Sequence, residues 1–143
     1  MTAETQNART VSANGIVTRA SLLSTPETTR RLLAALEQHG QTVFARVDHM
    51  ANAQSVNMPL RPTEVIIFGA PQGGTHLMQE NQTAGLDLPS KVLVWEDAGG
   101  RTWLSYNDPD WIAERHNLGS PSAPTVTMMV GLMDALTRAA AGE

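Results

Sequence analysis

Three carboxylates, together with a histidine, are side chains of the kinds that act as general acids and bases in enzymes. Glu64 opens a predicted strand, and Glu96 and Asp97 close another. Any of the three could exchange a proton with a reacting group, with His116 or His76 as the second titrating side chain. The sequence also allows a structural interpretation, in which Glu96 and Asp97 are solvated hairpin residues and Asp97 caps the turn.

A second set of side chains suits the binding of a small polar or anionic ligand. Lys91 and Arg61 would attract an anion or, in an enzyme, stabilise developing negative charge. Backbone amides at a helix that begins near Thr75 would add hydrogen-bond donors. We therefore expect a groove between the sheet and the 69–78 loop. The predicted ligand-binding residues are Arg61, Thr75, His76, Lys91, Trp103 and Asn107.

The segment from Gly69 to His76 shares only its two glycines with a phosphate-binding loop. The Walker A motif places Lys and then Ser or Thr after the second glycine, and this chain has Thr75 and His76 there. Nucleotide hydrolysis is therefore not expected. His76 and Glu80 lie one helical turn apart, but two ligands are too few for a metal, and the chain has no cysteine. The sequence predicts no metal site and no cofactor.

Composition limits the classes of partner. The 143 residues carry a formal charge of −4, and Lys91 is the single lysine. Binding to nucleic acid needs clustered positive charge, so no such partner is expected. The sequence has no apolar run of the ~18 residues that a membrane span requires, and its first residues are polar. We expect a cytoplasmic protein with one domain over residues 14–143 and a disordered tail over residues 1–13.

Alternation and capping signals predict an α+β fold around an antiparallel sheet of about five strands. Thr25 followed by Pro26 is typical of a helix start, and Asp108 followed by Pro109 is another. The segment 49–57 reads as a loop or a single helical turn. The predicted strands cover 15–21, 42–48, 64–68, 90–97 and 102–107, and the predicted helices cover 26–39, 75–82, 109–117 and 124–140.

The last two strands should form a hairpin. Gly99 and Gly100 can both adopt the positive φ of a type I′ turn. This turn would place Trp95 opposite Leu104 and would put Trp103 on the same sheet face as Val92 and Val94. All three tryptophans lie between positions 95 and 111.

Several short motifs, in order, resemble the bacterial and archaeal family catalogued as domain of unknown function 302. The matching segments are Leu60-Arg61-Pro62-Thr63-Glu64, Ile67-Phe68-Gly69, Gly74-Thr75-His76-Leu77-Met78, Asp87-Leu88-Pro89 with Lys91, Val94-Trp95-Glu96-Asp97, and Tyr106-Asn107-Asp108-Pro109 with Arg115-His116. Ser90 stands where the family usually has Leu, so the packing of that corner should differ. The resemblance implies a curved antiparallel sheet with helices on one side, like half of the TATA-binding protein, often in homodimers. It implies no agreed activity.

Three functions remain open at this point. The first is a homodimeric module that binds a small polar or anionic ligand. The second is an enzyme that uses Glu64, Glu96 or Asp97 as acid or base. The third is an oligomeric interaction protein without a ligand, which would use the sheet face of Trp103 as its interface.

Overall fold

The structure is a computed structural model that describes residues 9–143. Within this range six strands and five α-helices alternate irregularly along the chain, together with one 3₁₀ helix. The elements are β1 (Arg9–Val11), β2 (Ile16–Ala20), α1 (Thr25–Gln38), β3 (Thr42–Asp48), α2 (His49–Ser55), β4 (Thr63–Gly69), α3 (Pro71–Glu80), the 3₁₀ helix (Gln82–Leu86), β5 (Ser90–Glu96), β6 (Thr102–Asn107), α4 (Pro109–Arg115) and α5 (Ala123–Ala140).

The strands form one open sheet in the order β1-β2-β6-β5-β4-β3, and every neighbouring pair is antiparallel. The predicted α+β class, with helices on one face of an antiparallel sheet, is confirmed. The sheet has six strands in the described residues instead of about five. The additional strand is β1, which pairs with β2 from Arg9 to Val11. The sequence predicted a disordered tail for this segment. The rest of that predicted tail up to residue 8 lies outside the described residues.

Local sequence signals explain most helix starts. The N-cap of α1 is Ser24, whose side chain accepts from the Glu27 N–H at 3.3 Å, so the predicted cap at Thr25 was one residue late. Asp48 caps α2 by accepting from the Ala51 N–H at 2.9 Å, and this gives a seven-residue helix where a loop or single turn was predicted. Helix α3 begins at Pro71, so the predicted cap at Thr75 was wrong.

The hairpin between β5 and β6 is shifted by one residue from the predicted register. Trp95 lies opposite Trp103, and Val94 lies opposite Leu104. The loop has three residues, because the Asp97 N–H donates to the Arg101 carbonyl at 2.9 Å. Only one of the two glycines, Gly100 with φ 84°, has a positive φ. A one-residue shift changes the face of every side chain on a strand, so Trp103 lies on the face opposite to Val92 and Val94.

The two faces of the sheet have different surroundings. The inner face packs against α1 and α5, and its buried cluster includes Phe68, Val92, Leu104, Leu36 and Leu136. We call the opposite side the outer face; it carries Ile16, Thr18, Ala45, Val65, Ile67, Leu93, Trp95, Trp103 and Ser105. None of these side chains belongs to either buried apolar cluster of residues 9–143.

Candidate functional site

A groove of about 460 Å³ lies between the N-terminal half of α1 and strands β3, β4 and β5, and we call it the α1–β4 groove. Ligand sites in proteins commonly enclose ~300–1,000 Å³, so the groove has room for a small molecule. Its lining mixes charged and apolar side chains. The members that matter chemically are Thr29, Arg30, Leu33, Arg46, Asp48 and Glu64.

An ion pair between neighbouring strands lies in this groove. Arg46 donates to Glu64 through Nε at 2.8 Å and through Nη2 at 3.2 Å, a two-point contact that fixes both side chains. These hydrogen bonds to the Glu64 carboxylate are the largest cause of the raised pKa of Arg46, and the charge of Asp48 adds to it. Among the candidate acid–base residues, only Glu64 lines this groove.

Thr29 is a buried residue of the groove lining, and its hydroxyl has no hydrogen-bond partner among residues 9–143. The residue is 8% exposed. The neighbouring Thr28 is also buried, but its hydroxyl lies 2.6 Å from the Ser21 hydroxyl. Buried polar groups in proteins are nearly always paired, so an unpaired hydroxyl that lines a groove is an unused contact point for a ligand or for water.

A second polar cluster lies just before the start of β5 and at the end of α4, and we call it the Asp87 network. Its centre is the imidazole of His116, which is 5% exposed. His116 Nε2 lies 2.5 Å from Asp87 Oδ2, and His116 Nδ1 lies 3.0 Å from Thr83 Oγ1. Asp87 also accepts from Arg115 Nη1 at 2.9 Å and 3.0 Å, and Asn81 donates to the His116 carbonyl at 2.7 Å. The network joins the 3₁₀ helix to the end of α4.

Asp87 also borders a cavity of about 10 Å³, which we call the Asp87 cavity. Its lining includes the polar residues Ser90, Lys91 and Asn107 and the apolar residues Ile112, Met129 and Met133. A volume of this size holds about one water molecule. Lys91 and Asn107, two of the predicted ligand-binding residues, therefore meet here. The Lys91 ammonium group donates to the Pro89 carbonyl at 3.0 Å.

Two of the other predicted site residues meet, since the Trp103 indole N–H donates to Asp97 Oδ2 at 2.8 Å, but the rest do not converge with them. Asp97 lies in the hairpin turn, and Trp103 stacks on Trp95 with 6.1 Å between ring centroids. Arg61 donates to the backbone carbonyl of Glu96 at 3.1 Å, and neither residue lines the α1–β4 groove or the Asp87 cavity. The solvent-exposed residues Thr75 and His76 lie inside α3.

Most of the 69–78 segment is helical, in α3, where the sequence predicted a loop. In residues 9–143 there is no group of three side chains that could hold a metal ion.

Asp87, Thr29 and Arg46 were not among the site residues predicted from the sequence. Asp87 could have been noticed because it begins the Asp-Leu-Pro segment before Lys91. Thr29 and Arg46 carry no comparable signal, since each lies in an ordinary helical or alternating pattern. Only packing brings these two residues to one groove.

A family model described as "Domain of unknown function DUF302" matches residues 17–136. The chain belongs to this family. Among solved structures, this DUF302 chain resembles a protein titled "Crystal structure of uncharacterized conserved protein DUF302 from Bacillus stearothermophilus", with a TM-score of 0.79 and 20% sequence identity. The match covers 88% of this chain and 98% of that one. At this identity the likeness shows the fold alone.

Curated relatives come from Brucella species. A protein of Brucella suis biovar 1 (strain 1330) named "Fluoride-specific ion channel FluC 1" is 48% identical over 130 residues, which are 91% of this chain and 51% of the relative. A protein of the same name from Brucella abortus biovar 1 (strain 9-941) is also 48% identical, over 48% of its length. The DUF302 chain thus spans about half the length of these relatives. Among residues 9–143, no helix is long and apolar enough to cross a membrane.

Proposed function

We propose that this DUF302 chain is a homodimeric module that binds a small polar molecule in the α1–β4 groove. The observation that carries the proposal is the buried, unpaired hydroxyl of Thr29 in a groove of about 460 Å³. A ligand that hydrogen-bonds this hydroxyl would remove the free-energy cost of burying it unpaired.

The geometry favours binding over acid–base catalysis at the candidate carboxylates. Catalysis by two carboxyl groups requires both to face the same reacting atoms. Glu64 is held by Arg46 in the groove, whereas Asp97 accepts three hydrogen bonds in the hairpin turn. The described contacts do not bring Glu96 into either cavity.

A fragment screen followed by ¹⁵N–¹H correlation spectra tests the ligand site. We expect hits that shift the amide signals of groove residues and that bind more weakly to Thr29→Val. This substitution replaces the unpaired hydroxyl with a methyl group of similar size, so the variant should be at least as stable as the wild type. Thr127→Val, on the exposed side of α5, is the matched control and should bind as the wild type does. A screen in which no fragment shifts groove signals would overturn the proposal.

The dimer part of the proposal depends on the outer face. Several apolar side chains share this face outside both buried clusters, and Ile16 is 40% exposed. An extended apolar face of this kind is typical of an interface between subunits. The resemblance to a family that often pairs into homodimers supports a second copy as the partner.

Sedimentation velocity tests the dimer. We expect the wild type to sediment as a dimer, and Trp103→Glu and Ile16→Glu to sediment as monomers with nearly unchanged far-ultraviolet dichroism. Met128→Glu is the control, because Met128 is 73% exposed on α5 at the helical side of the sheet. A monomeric wild type, or folded dimers of both outer-face variants, would contradict the assignment of this interface.

A second candidate ligand comes from the names of the Brucella relatives, which specify fluoride. We propose that fluoride, an ion of about the size of a water molecule, fits the Asp87 cavity. Ser90, Lys91 and Asn107, which line the cavity, each carry a hydrogen-bond donor, and the charges of Lys91 and of Arg115, which pairs with Asp87 outside the lining, together exceed that of Asp87. Fluoride should raise the melting temperature of the wild type more than an equal concentration of chloride does. Lys91→Met should lose this difference, and equal effects of the two salts on the wild type would exclude the candidate.

A further inference from the structure

The charged side chains that line the α1–β4 groove are two arginines, Arg30 and Arg46, and two carboxylates, Asp48 and Glu64. Just outside this lining, Glu27 pairs with both Arg30 and Arg31, so the charges around the groove balance. A groove without net charge has no long-range attraction for a ligand that is strongly anionic or strongly cationic. Separate positive and negative groups a few ångströms apart instead match a ligand that carries both charges.

The Arg46–Glu64 pair keeps free hydrogen-bonding positions on both partners. Arg46 uses Nε and Nη2 for Glu64, and no described residue bonds Nη1, while 47% of the side chain is exposed. A ligand carboxylate can bind at this free edge. Glu64 accepts two hydrogen bonds from Arg46, and a carboxylate can accept about four, so a ligand ammonium group can bind beside it.

Asp48 and Thr29 extend this polar set. Asp48 uses Oδ1 to cap α2, which leaves Oδ2 for a second positive or donor group. The Thr29 hydroxyl can donate to a ligand carboxylate or accept from a ligand ammonium group.

Part of the groove is apolar. Leu33 of α1, Val94 of β5 and Met50 of α2 line it, and Leu33 also packs against the main core cluster. A ligand with only polar groups would leave this carbon surface in contact with water. A ligand with a short aliphatic side chain would cover it and bind more tightly for each methylene group that it buries.

We infer that the α1–β4 groove binds a small zwitterion with an aliphatic side chain, of the class of a free aliphatic amino acid. The carboxylate would bind Arg46 Nη1, the ammonium group would bind between Glu64 and Asp48, and the side chain would cover Leu33, Met50 and Val94. This inference rests on the proposed function of the groove as a binding site, and it adds the chemical class of the ligand.

Leucine and two analogues that each lack one charge test the inference by titration of the wild type, followed by ¹⁵N–¹H correlation spectra. Leucinamide lacks the carboxylate, and 4-methylpentanoate lacks the ammonium group. We expect leucine to shift groove signals with a Kd at least tenfold below that of either analogue. Arg46→Gln should raise the Kd of leucine about tenfold and that of leucinamide by less, because leucinamide has no carboxylate for Arg46 to bind. The matched control is Arg31→Gln, which removes an exposed arginine of α1 that does not line the groove.

The outcomes separate this inference from the proposed function. If fragments shift groove signals but leucine binds no better than its analogues, the zwitterion assignment is wrong and the binding site stands. If no small molecule shifts groove signals, both are wrong. The comparison of leucine with its analogues uses only the wild type, so the inference remains testable even if Arg46→Gln fails to fold.

Discussion

The indole N–H of Trp103 donates a hydrogen bond to Asp97 Oδ2 at 2.8 Å, across the closed end of the hairpin. The other carboxylate oxygen of Asp97 accepts from the N–H groups of Gly99 and Arg101, each at 2.9 Å. The indole hydrogen bond is the largest cause of the lowered pKa of Asp97, and the Arg101 N–H is the next. One carboxylate therefore joins the turn to the strand that follows it.

Trp103→Phe should raise the pKa of Asp97 toward its ordinary range near ~3.9, because the variant loses the indole donor. A carboxyl group with a lowered folded-state pKa stabilises the protein above its unfolded-state pKa, and this contribution is lost as the pH falls through the folded value. The variant should therefore lose less stability on acidification than the wild type does. A pH titration of the Asp97 carboxyl carbon by NMR measures the shift directly.

Trp95→Phe is the matched control for this prediction. Trp95 takes part in the same ring stack, but its indole N–H donates to Ser105 Oγ at 2.9 Å instead of to Asp97. The pKa of Asp97 should stay lowered in this control. Equal pKa values in the wild type and in Trp103→Phe would mean that the two backbone donors suffice.

Gly100→Val should lower the free energy of unfolding by about 1–3 kcal/mol, because a β-branched side chain is strained at positive φ. The expected strain comes from the backbone alone, since a Cβ atom at Gly100 would have no neighbouring side chain or backbone within 4 Å. Gly99→Ala should change stability by less than ~0.5 kcal/mol, because Gly99 lies outside the left-handed region. Urea unfolding of both variants is the measurement. A loss at Gly99 as large as that at Gly100 would indicate a two-residue turn.

Glu80→Gln should lower the midpoint of urea unfolding, because Glu80 ties the end of α3 to the connector before α5. Its carboxylate accepts from the Ser122 hydroxyl at 2.6 Å and from the Gly119 N–H at 2.7 Å. The Ser122 hydrogen bond is the largest cause of the lowered pKa of Glu80. The difference between variant and wild type should therefore shrink as the pH falls and Glu80 becomes protonated.

Glu114→Gln provides the comparison for Glu80, since Glu114 is an exposed carboxylate of α4. It should unfold at nearly the same urea concentration as the wild type. A Glu80 variant that also matches the wild type at neutral pH would show that the connector does not depend on this carboxylate.

Asp87→Asn should destabilise the protein by about 1.5–3 kcal/mol, the usual contribution of a hydrogen bond to a charged group. The change weakens the contacts of Asp87 with both His116 and Arg115. Asp110→Asn, at an exposed position of α4, should cost less than ~1 kcal/mol.

The coupling between Asp87 and His116 can be measured by thermal unfolding. The Asp87→Asn/His116→Gln double variant should lose less stability than the sum of the losses in the two single variants. Strict additivity would mean that the two side chains act independently.

The sequence by itself determined the elements whose signals are local. Strands β3 and β6 were predicted with their observed bounds, because alternation of side chains is a property of consecutive residues. The start of α4 at Pro109 followed from its Asp108 cap, which depends on a few neighbouring residues. The absence of cysteine and the low positive charge are likewise properties of composition.

Tertiary structure decided the features that join distant segments. The tail prediction was wrong for Arg9–Val11, because these residues become a strand only when β2 offers a free edge. The hairpin register depends on the side chain of Asp97, whose hydrogen bonds favour a three-residue loop. The Gly99-Gly100 pair alone was also compatible with the predicted two-residue loop. Arg46 and Glu64 line one groove with Thr29 of α1. His116 contacts Asp87, which lies 29 residues earlier in the sequence. Such contacts depend on how elements pack, and no pattern of neighbouring residues encodes them.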